Sequence, residues 1–301
     1  MKSGFVSLIG RPNTGKSTLL NTILEEKISI ISSVPQTTRY IVRGVWTVDD
    51  AQVVFVDTPG MHLGGHQLAS ELNNMAKDSM EDVDLILYVT DAKRKPYDEE
   101  EMIARMLIRQ QIPVIMVINK IDRSKRCVGD HIDLWKKLCG EEGVQGDGPL
   151  KYFVPVSALN GSNVDELKKT IMEFMPEGPM MYDPQTKTDF PLEFRIADLI
   201  REKMCHLLEE EIPHHTAVSI EEIRKEPNGT LAVYADIIMA AESQKGIVIG
   251  KNGQTIKEIG KRARKDINKV MDQKIHLELK VRVVKDWQTK PRIIRELGYG
   301  V

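Results

Sequence analysis

Eight residues near the start of the chain, Gly10-Arg11-Pro12-Asn13-Thr14-Gly15-Lys16-Ser17, constrain its fold more than any other feature. They follow an apolar run at 5–9 and open a helical pattern over Lys16–Leu24, with Thr18 in its first turn. A G-x-x-x-x-G-K-[ST] loop in that setting lets successive backbone N–H groups curl around phosphate oxygens, and the positive end of the helix adds its field. Lys16 is then placed to reach the outer phosphates, and the Ser17 hydroxyl to bind Mg²⁺.

Such a loop belongs to a strand–helix alternation, and the chain supplies one. Short apolar runs at 53–56, 85–89, 114–118 and 153–156 read as buried strands, with helical segments at 75–80, 99–109, 131–138 and 164–175. The expected fold class is α/β: a doubly wound, mostly parallel sheet with its ligand at the carboxyl ends of the strands. The segments 41–47 and 52–56, joined at Asp49-Asp50, predict a hairpin that places one antiparallel strand at the edge.

At roughly 100–200 residues per domain, 301 residues suggest two domains. The alternation stops near Glu177-Gly178-Pro179, Pro184 and Pro191. The expected division is a nucleotide-binding domain over 1–178, a linker over 179–190 and a second domain over 191–301. In the last, a helix at 194–210, a hairpin about Pro227-Asn228-Gly229, a helical region and a strand at 275–284 predict an α+β domain.

Composition excludes several classes. The longest apolar runs, such as 113–118, fall far short of the ~20 residues of a membrane-spanning helix. No cleavage signature follows Met1-Lys2-Ser3-Gly4, and Cys127, Cys139 and Cys205 are too few and too scattered for a disulfide framework or a zinc site. Reduced thiols and a cytoplasmic location are expected. The net charge of −2 hides an asymmetry: −4 over 1–182, −7 over 183–244 and +10 over 245–295.

Three further motifs close successive strands. Asp57-Thr58-Pro59-Gly60 follows 53–56; its aspartate can hold a magnesium ion and the Gly60 N–H can sense a γ-phosphate. Asn119-Lys120-Ile121-Asp122 follows 114–118. A carboxylate there accepts from guanine N1–H and its exocyclic amine, a donor pair adenine lacks. Ser157-Ala158-Leu159 ends the next strand, where a backbone N–H can meet the guanine O6.

Four such motifs in order resemble those of a GTPase of the translation-factor-related class. Asn13 and the run Gln36-Thr37-Thr38-Arg39 resemble the Era family in particular. The resemblance implies that Thr38 binds Mg²⁺ together with Ser17 and Asp57. Thr37 stays open as the alternative, because spacing does not separate adjacent threonines. It also implies that Asn13 helps hold K⁺ beside the phosphates. Met61 stands where many small GTPases place a water-orienting glutamine, and His62 and His66 read as solvated loop residues. Thr14 departs from the family's usual valine, and Glu25-Glu26 stand where a glycine commonly follows the first helix.

The second domain carries Gly250-Lys251-Asn252-Gly253. A G-x-x-G turn lets a nucleic-acid backbone approach closely. Ile256, Ile259, Ala263, Ile267 and Val270 then form one buried helical stripe, with Lys257, Lys261, Arg262, Arg264, Lys265 and Lys269 on the remaining surface. The order resembles a type II KH domain, with Asn252 where relatives often have glycine. The Era resemblance thus spans almost the whole chain. It implies GTP and GDP as ligands and a contact with the 3′ end of 16S ribosomal RNA. It also implies action on the 30S subunit or its precursor, monomeric behaviour and peripheral association with the inner membrane. A P-loop kinase or ATPase and an RNA adaptor with a silent pocket are the other classes. Asn119–Asp122 argues against the first, and Lys16, Ser17, Thr38 and Asp57 against the second.

Overall fold

The computed structural model describes residues 1–227 and 229–300, and the chain divides into two compact units. The first comprises Met1–Ser29, Thr38–Gly64 and Leu72–Asp189; the second comprises Ile30–Thr37, Gly65–Glu71 and Phe190–Val301.

Six strands form the sheet of the first unit: β1 (Lys2–Ile9), β2 (Val42–Val48), β3 (Ala51–Asp57), β4 (Leu85–Asp91), β5 (Val114–Asn119) and β6 (Leu150–Pro155). Their order is β2-β3-β1-β4-β5-β6. The β2–β3 pair is antiparallel, as its short connection requires, and the other pairs are parallel. Every residue of β3, β4 and β5 is buried, which is why they read as continuous apolar runs without alternation. Helices α1 (Lys16–Leu24), α2 (Gln67–Asp78), α3 (Asp98–Ile108), α4 (Val128–Glu141) and α5 (Val164–Phe174) alternate with the strands.

Four elements of this unit differ clearly from the sequence reading: β1 starts at Lys2 instead of 5, α4 spans Val128–Glu141 instead of 131–138, and α2 and β6 start early. Helix α2 starts at Gln67 instead of 75, and Met80 lies in a turn beyond its end. Leu68, Leu72, Met75 and Ala76 are its buried stripe. Strand β6 starts at Leu150 instead of 153, and as an edge strand it leaves Lys151, Tyr152 and Phe153 exposed. Residues 181–188 run along the β2–β3 hairpin. Gln52 Oε1 accepts the N–H groups of Met181 (2.7 Å) and Tyr182 (2.9 Å), Val45 donates to the Lys187 carbonyl (2.8 Å), and Thr188 donates to that of Arg43 (2.5 Å).

In the second unit, α6 (Leu192–Leu207) precedes β7 (Thr216–Lys225), β8 (Leu231–Met239), α7 (Glu242–Ile249), α8 (Gln254–Val270) and β9 (Ile275–Val283). The sheet order is β7-β8-β9, antiparallel and then parallel. Helix α6 ends before the expected 210 because Leu208 turns extended (φ −103°, ψ 146°). Asn228 of the expected hairpin turn lies outside the described residues; the Glu226 N–H donates to the Thr230 carbonyl at 2.8 Å across that turn. Ile196, Ile200 and Met204 of α6 and Val233 and Ile237 of β8 share a core with Ile259, Ala263 and Ile267 of α8. Of the predicted α8 stripe, Ile256 and Val270 are only partly buried. Among the described residues, no helix is long and apolar enough to cross a membrane.

Candidate nucleotide and nucleic-acid sites

Helix α1 starts without a side-chain cap: its N-cap is Gly15, left-handed at φ 100°. The orphan N–H groups of its first turn are therefore available to an anion. Two glycines shape the loop before it. A Cβ on Gly10 would lie 2.3 Å from the Val89 carbonyl oxygen, and one on Gly15 would lie 2.3 Å from Asn119 Nδ2. The buried Lys16 ammonium donates to the carbonyls of Gly10 (2.9 Å) and Arg11 (3.1 Å) inside the loop's curve. Burial lowers its pKa to about 8, opposed by the Asp57 carboxylate and aided by the Arg11 guanidinium.

Arg11 contributes backbone to this loop, while its buried side chain turns away and pairs through Nε with Glu100 Oε1 of α3. The other Glu100 oxygen accepts the Tyr97 N–H at 3.1 Å in the first turn of α3. Asp91, at the end of β4, binds Lys120 Nζ at 2.8 Å, and that ammonium also donates to the Asn13 carbonyl. Against the penalty of its burial, these bonds hold the Asp91 carboxyl below the usual carboxylate range. Glu100 and Asp91 escape a motif search because their partners lie far off in sequence; the signal was an acid at the third position of α3.

Ser17, Thr38 and Asp57 converge: Ser17 Oγ donates to Asp57 Oδ2 at 2.7 Å and lies 2.9 Å from Thr38 Oγ1. Asp57 Oδ1 is buried with no hydrogen-bond partner among the described residues, and burial raises the carboxyl's pKa, opposed by the Ser17 hydroxyl and the Lys16 ammonium. A buried carboxylate oxygen without a donor, beside two hydroxyls, is the donor set a divalent cation satisfies. Thr37 is not part of it; its hydroxyl donates to the Val34 carbonyl at 2.5 Å.

Thr58 anchors the next turn by donating to the Leu8 carbonyl at 2.7 Å. Pro59 and Gly60 follow, and a Cβ on Gly60 would lie 2.5 Å from the backbone nitrogen of Pro12. Met61, 1% exposed, is packed into the core under the sheet. His62 is buried, in place of the solvated residue expected, and its N–H donates to Asn73 Oδ1 at 3.2 Å. His66 is exposed, and its Nδ1 accepts the Ala69 N–H at 3.1 Å in the first turn of α2.

The end of the site where the sequence predicts the base is braced through one side chain. Asn119 Nδ2 donates to the Thr14 carbonyl (2.9 Å), while Oδ1 accepts the N–H groups of Lys120 (2.7 Å) and Ala158 (2.9 Å). Ser157 Oγ donates to Asp122 Oδ1 at 2.6 Å and so orients an exposed carboxylate. Leu159, two residues beyond Ser157, is 70% exposed.

The second unit presents a different surface. Gly250 (φ 73°), Asn252 (φ 52°) and Gly253 (φ 73°) make the G-x-x-G turn between α7 and α8. A Cβ on Gly250 would lie 2.1 Å from Thr255 Oγ1; around Gly253 there is open space. Asparagine tolerates the left-handed region better than most side chains, which accounts for Asn252. Next to the turn a cleft of about 950 Å³ is lined by Asn252, Gly253, Lys257, Lys261, Arg264 and, from β9, Leu277 and Leu279. Lys251 and Lys265 are exposed on the same turn and helix; Arg262 is engaged with Glu258 at 2.6 Å.

Comparison with known proteins resolves the family. The chain is 40% identical to the GTPase Era of Alkaliphilus metalliredigens (strain QYMF) over 299 residues, 99% of each chain. The chain belongs to the Era family. A family described as 50S ribosome-binding GTPase matches residues 5–120, and the KH domain family matches 211–288. Two solved structures, each 39% identical and covering 100% of both chains, superpose with a TM-score of 0.92. One is an Aquifex aeolicus Era variant bound to GDP·AlF4⁻; the other is Era with MgGDPNP and nucleotides 1506–1542 of 16S ribosomal RNA. This Era-family protein is a GTPase, with an N-terminal P-loop unit and a C-terminal KH domain.

Proposed function

We propose that this Era-family GTPase is a Mg²⁺-dependent switch that binds the 3′ end of 16S ribosomal RNA and acts in assembly of the small ribosomal subunit. The observation that carries the reading is the convergence of Ser17, Thr38 and the orphaned Asp57 oxygen at the uncapped start of α1. Mg²⁺ held there would neutralise charge on the β- and γ-phosphates. Lys16 and the loop N–H groups bind the phosphates, Gly60 offers its N–H to the γ-phosphate, and Asp122 takes the guanine edge. Water attacks the γ-phosphorus and GDP leaves; no protein nucleophile takes part.

Met61 is committed to the core and cannot orient that water. Hydrolysis then depends on preorganised charge, to which K⁺ held by Asn13 would add, and turnover without stimulation is slow, on the order of 10⁻⁴–10⁻² s⁻¹. The relative crystallised with 16S nucleotides supports the RNA assignment, and the cleft beside Gly253 supports its place. The protein works as a cytoplasmic monomer that visits the inner membrane peripherally. Single-turnover hydrolysis in KCl and in NaCl at matched ionic strength tests the chemistry. Faster turnover in KCl, with most of the difference removed by Asn13→Ala, is expected; equal rates would reduce Asn13 to a loop-shaping residue.

A further inference from the structure

Two loops at the carboxyl ends of β4 and β5 carry six basic side chains that the nucleotide site does not use. Lys93, Arg94 and Lys95 follow β4; Arg123, Lys125 and Arg126 follow β5. All six are exposed, and among the described residues none of these side chains makes an ion pair or a hydrogen bond. Elsewhere in the same unit some exposed cations are paired, as Arg109 with Glu142, Lys137 with Glu141 and Lys169 with Glu166, while others such as Lys77 and Lys136 stand singly among the described residues; what sets the six apart is that they are gathered on two adjoining loops.

The backbone holds the two loops together. The Cys127 N–H donates to the Ala92 carbonyl at 3.1 Å, and His131 Nε2 lies 3.1 Å from the carbonyl oxygens of both Asp91 and Arg94. Residues 92–97 and 123–127 contain no acid. Of the nearest acids, Asp91 is paired with Lys120; Asp98 and Glu99 sit in the first turn of α3 and Asp130 in that of α4, each at the positive end of its helix, and Asp122 keeps its charge while bonded to the Ser157 hydroxyl. Six like charges gathered on two loops with no ion pair of their own repel one another, a cost that an anionic partner lowers. Tyr97, 68% exposed, adds an aromatic face beside Lys95-Pro96.

We infer that these loops form a second RNA-binding surface, on the GTPase unit, which takes the phosphates of a single strand without reading its sequence and stacks a base on Tyr97. The inference rests on the reading that the protein acts on RNA. A membrane surface fits the patch less well, because within the two loops Tyr97 is the one large exposed apolar side chain available for insertion among the described residues.

The test uses the full chain and a fluorescein-labelled 20-nucleotide oligoadenylate, followed by anisotropy from 50 to 300 mM KCl. One variant changes all six cations to Gln, one carries Gly253→Asp, and one combines them. The six-Gln variant should bind at least ~10-fold more weakly in both backgrounds. Its log–log salt slope should shrink by ~0.7 per lost phosphate contact, about 2 for three contacts. Its GTP affinity and single-turnover rate should match the parent. Tyr97→Ala should cost about 10-fold on the same probe. Parent-like affinity and slope in the six-Gln variant would overturn the inference. So would loss of binding only to vesicles containing 30% phosphatidylglycerol, which would assign the patch to lipid, or slower association of a fluorescent GTP with RNA affinity intact, which would assign it to nucleotide steering. Weakening by Gly253→Asp alone would leave the KH reading standing without the second surface; weakening by the six-Gln change alone would do the reverse.

Discussion

Two glycine-bracketed turns carry the phosphate contacts we propose, and they are built differently. In the phosphate loop both bracketing glycines are hemmed in: added methyl groups would strike the Val89 carbonyl and the Asn119 amide, and even the Lys16 ammonium is buried. In the G-x-x-G turn only Gly250 is crowded; Gly253 faces open space and the flanking lysines are exposed. The first is preorganised around a ligand of fixed shape, so its donors cost little to arrange at binding. The second is one wall of an open cleft, a shape that suits the polymer we propose for it. On that proposal, selectivity belongs to the closed site and salt sensitivity to the open one.

The largest test of that contrast is at the base. Asp122→Asn should weaken GTP by ~10⁴-fold while admitting XTP, whose C2 oxygen suits an amide donor. A fluorescent-nucleotide titration with unchanged GTP affinity would sink the assignment of Asp122. Next comes the pair of glycines. Gly15→Ala combines a left-handed backbone with an overlap on Asn119, together about 3 kcal/mol, so nucleotide affinity should fall roughly 100-fold. Gly253→Ala shares the left-handed backbone strain (φ 73°) but meets no neighbour among the described residues, so it should cost RNA affinity only about 5-fold; if both alanines behave alike in parallel titrations, the contrast is lost.

Charge should succeed at Gly253 where bulk does not. Gly253→Asp should weaken RNA binding about 10-fold at low salt, with GTP affinity unchanged. Lys257→Ala and Lys261→Ala should act more gently, each lowering the log–log salt slope by ~0.7 with little change in sequence preference. The smallest effect concerns stability alone. Glu25 holds a left-handed conformation (φ 55°) at the end of α1, so Glu25→Gly should raise unfolding free energy by about 1 kcal/mol in a denaturant titration. A loss of stability there would mean that its 3.4 Å pair with Lys168 outweighs the backbone strain.

Much of this architecture is legible from the chain because its signals are local. Helix α1 occupies the predicted residues since the glycine that starts it and the apolar steps that bury it are all within one stretch. The four nucleotide motifs fall on strand ends for the same reason. What stayed hidden depends on distant partners. Arg11 looks like a phosphate ligand until Glu100, 89 residues away, takes its side chain. Thr37 and Thr38 differ only in which way the chain turns. Helix α2 was legible in principle, because Leu68, Leu72, Met75 and Ala76 keep helical spacing; the apolar weight near its end drew the reading past its true start. His62 looked solvated because nothing near it in sequence announces Asn73.

Asn119 also bears on how such a site can change over evolutionary time. Its single amide ties the phosphate loop at Thr14, the following turn at Lys120 and the next strand's end at Ala158. No other side chain of its size offers a donor and an acceptor in that arrangement, so replacing it would loosen three segments at once. Asp122, by contrast, is exposed and held by one serine hydroxyl. A lineage drifting toward a different purine therefore has one position where a single codon change alters the preferred base and leaves the pocket standing. At the other, the same kind of change dismantles the pocket before any new preference can be selected.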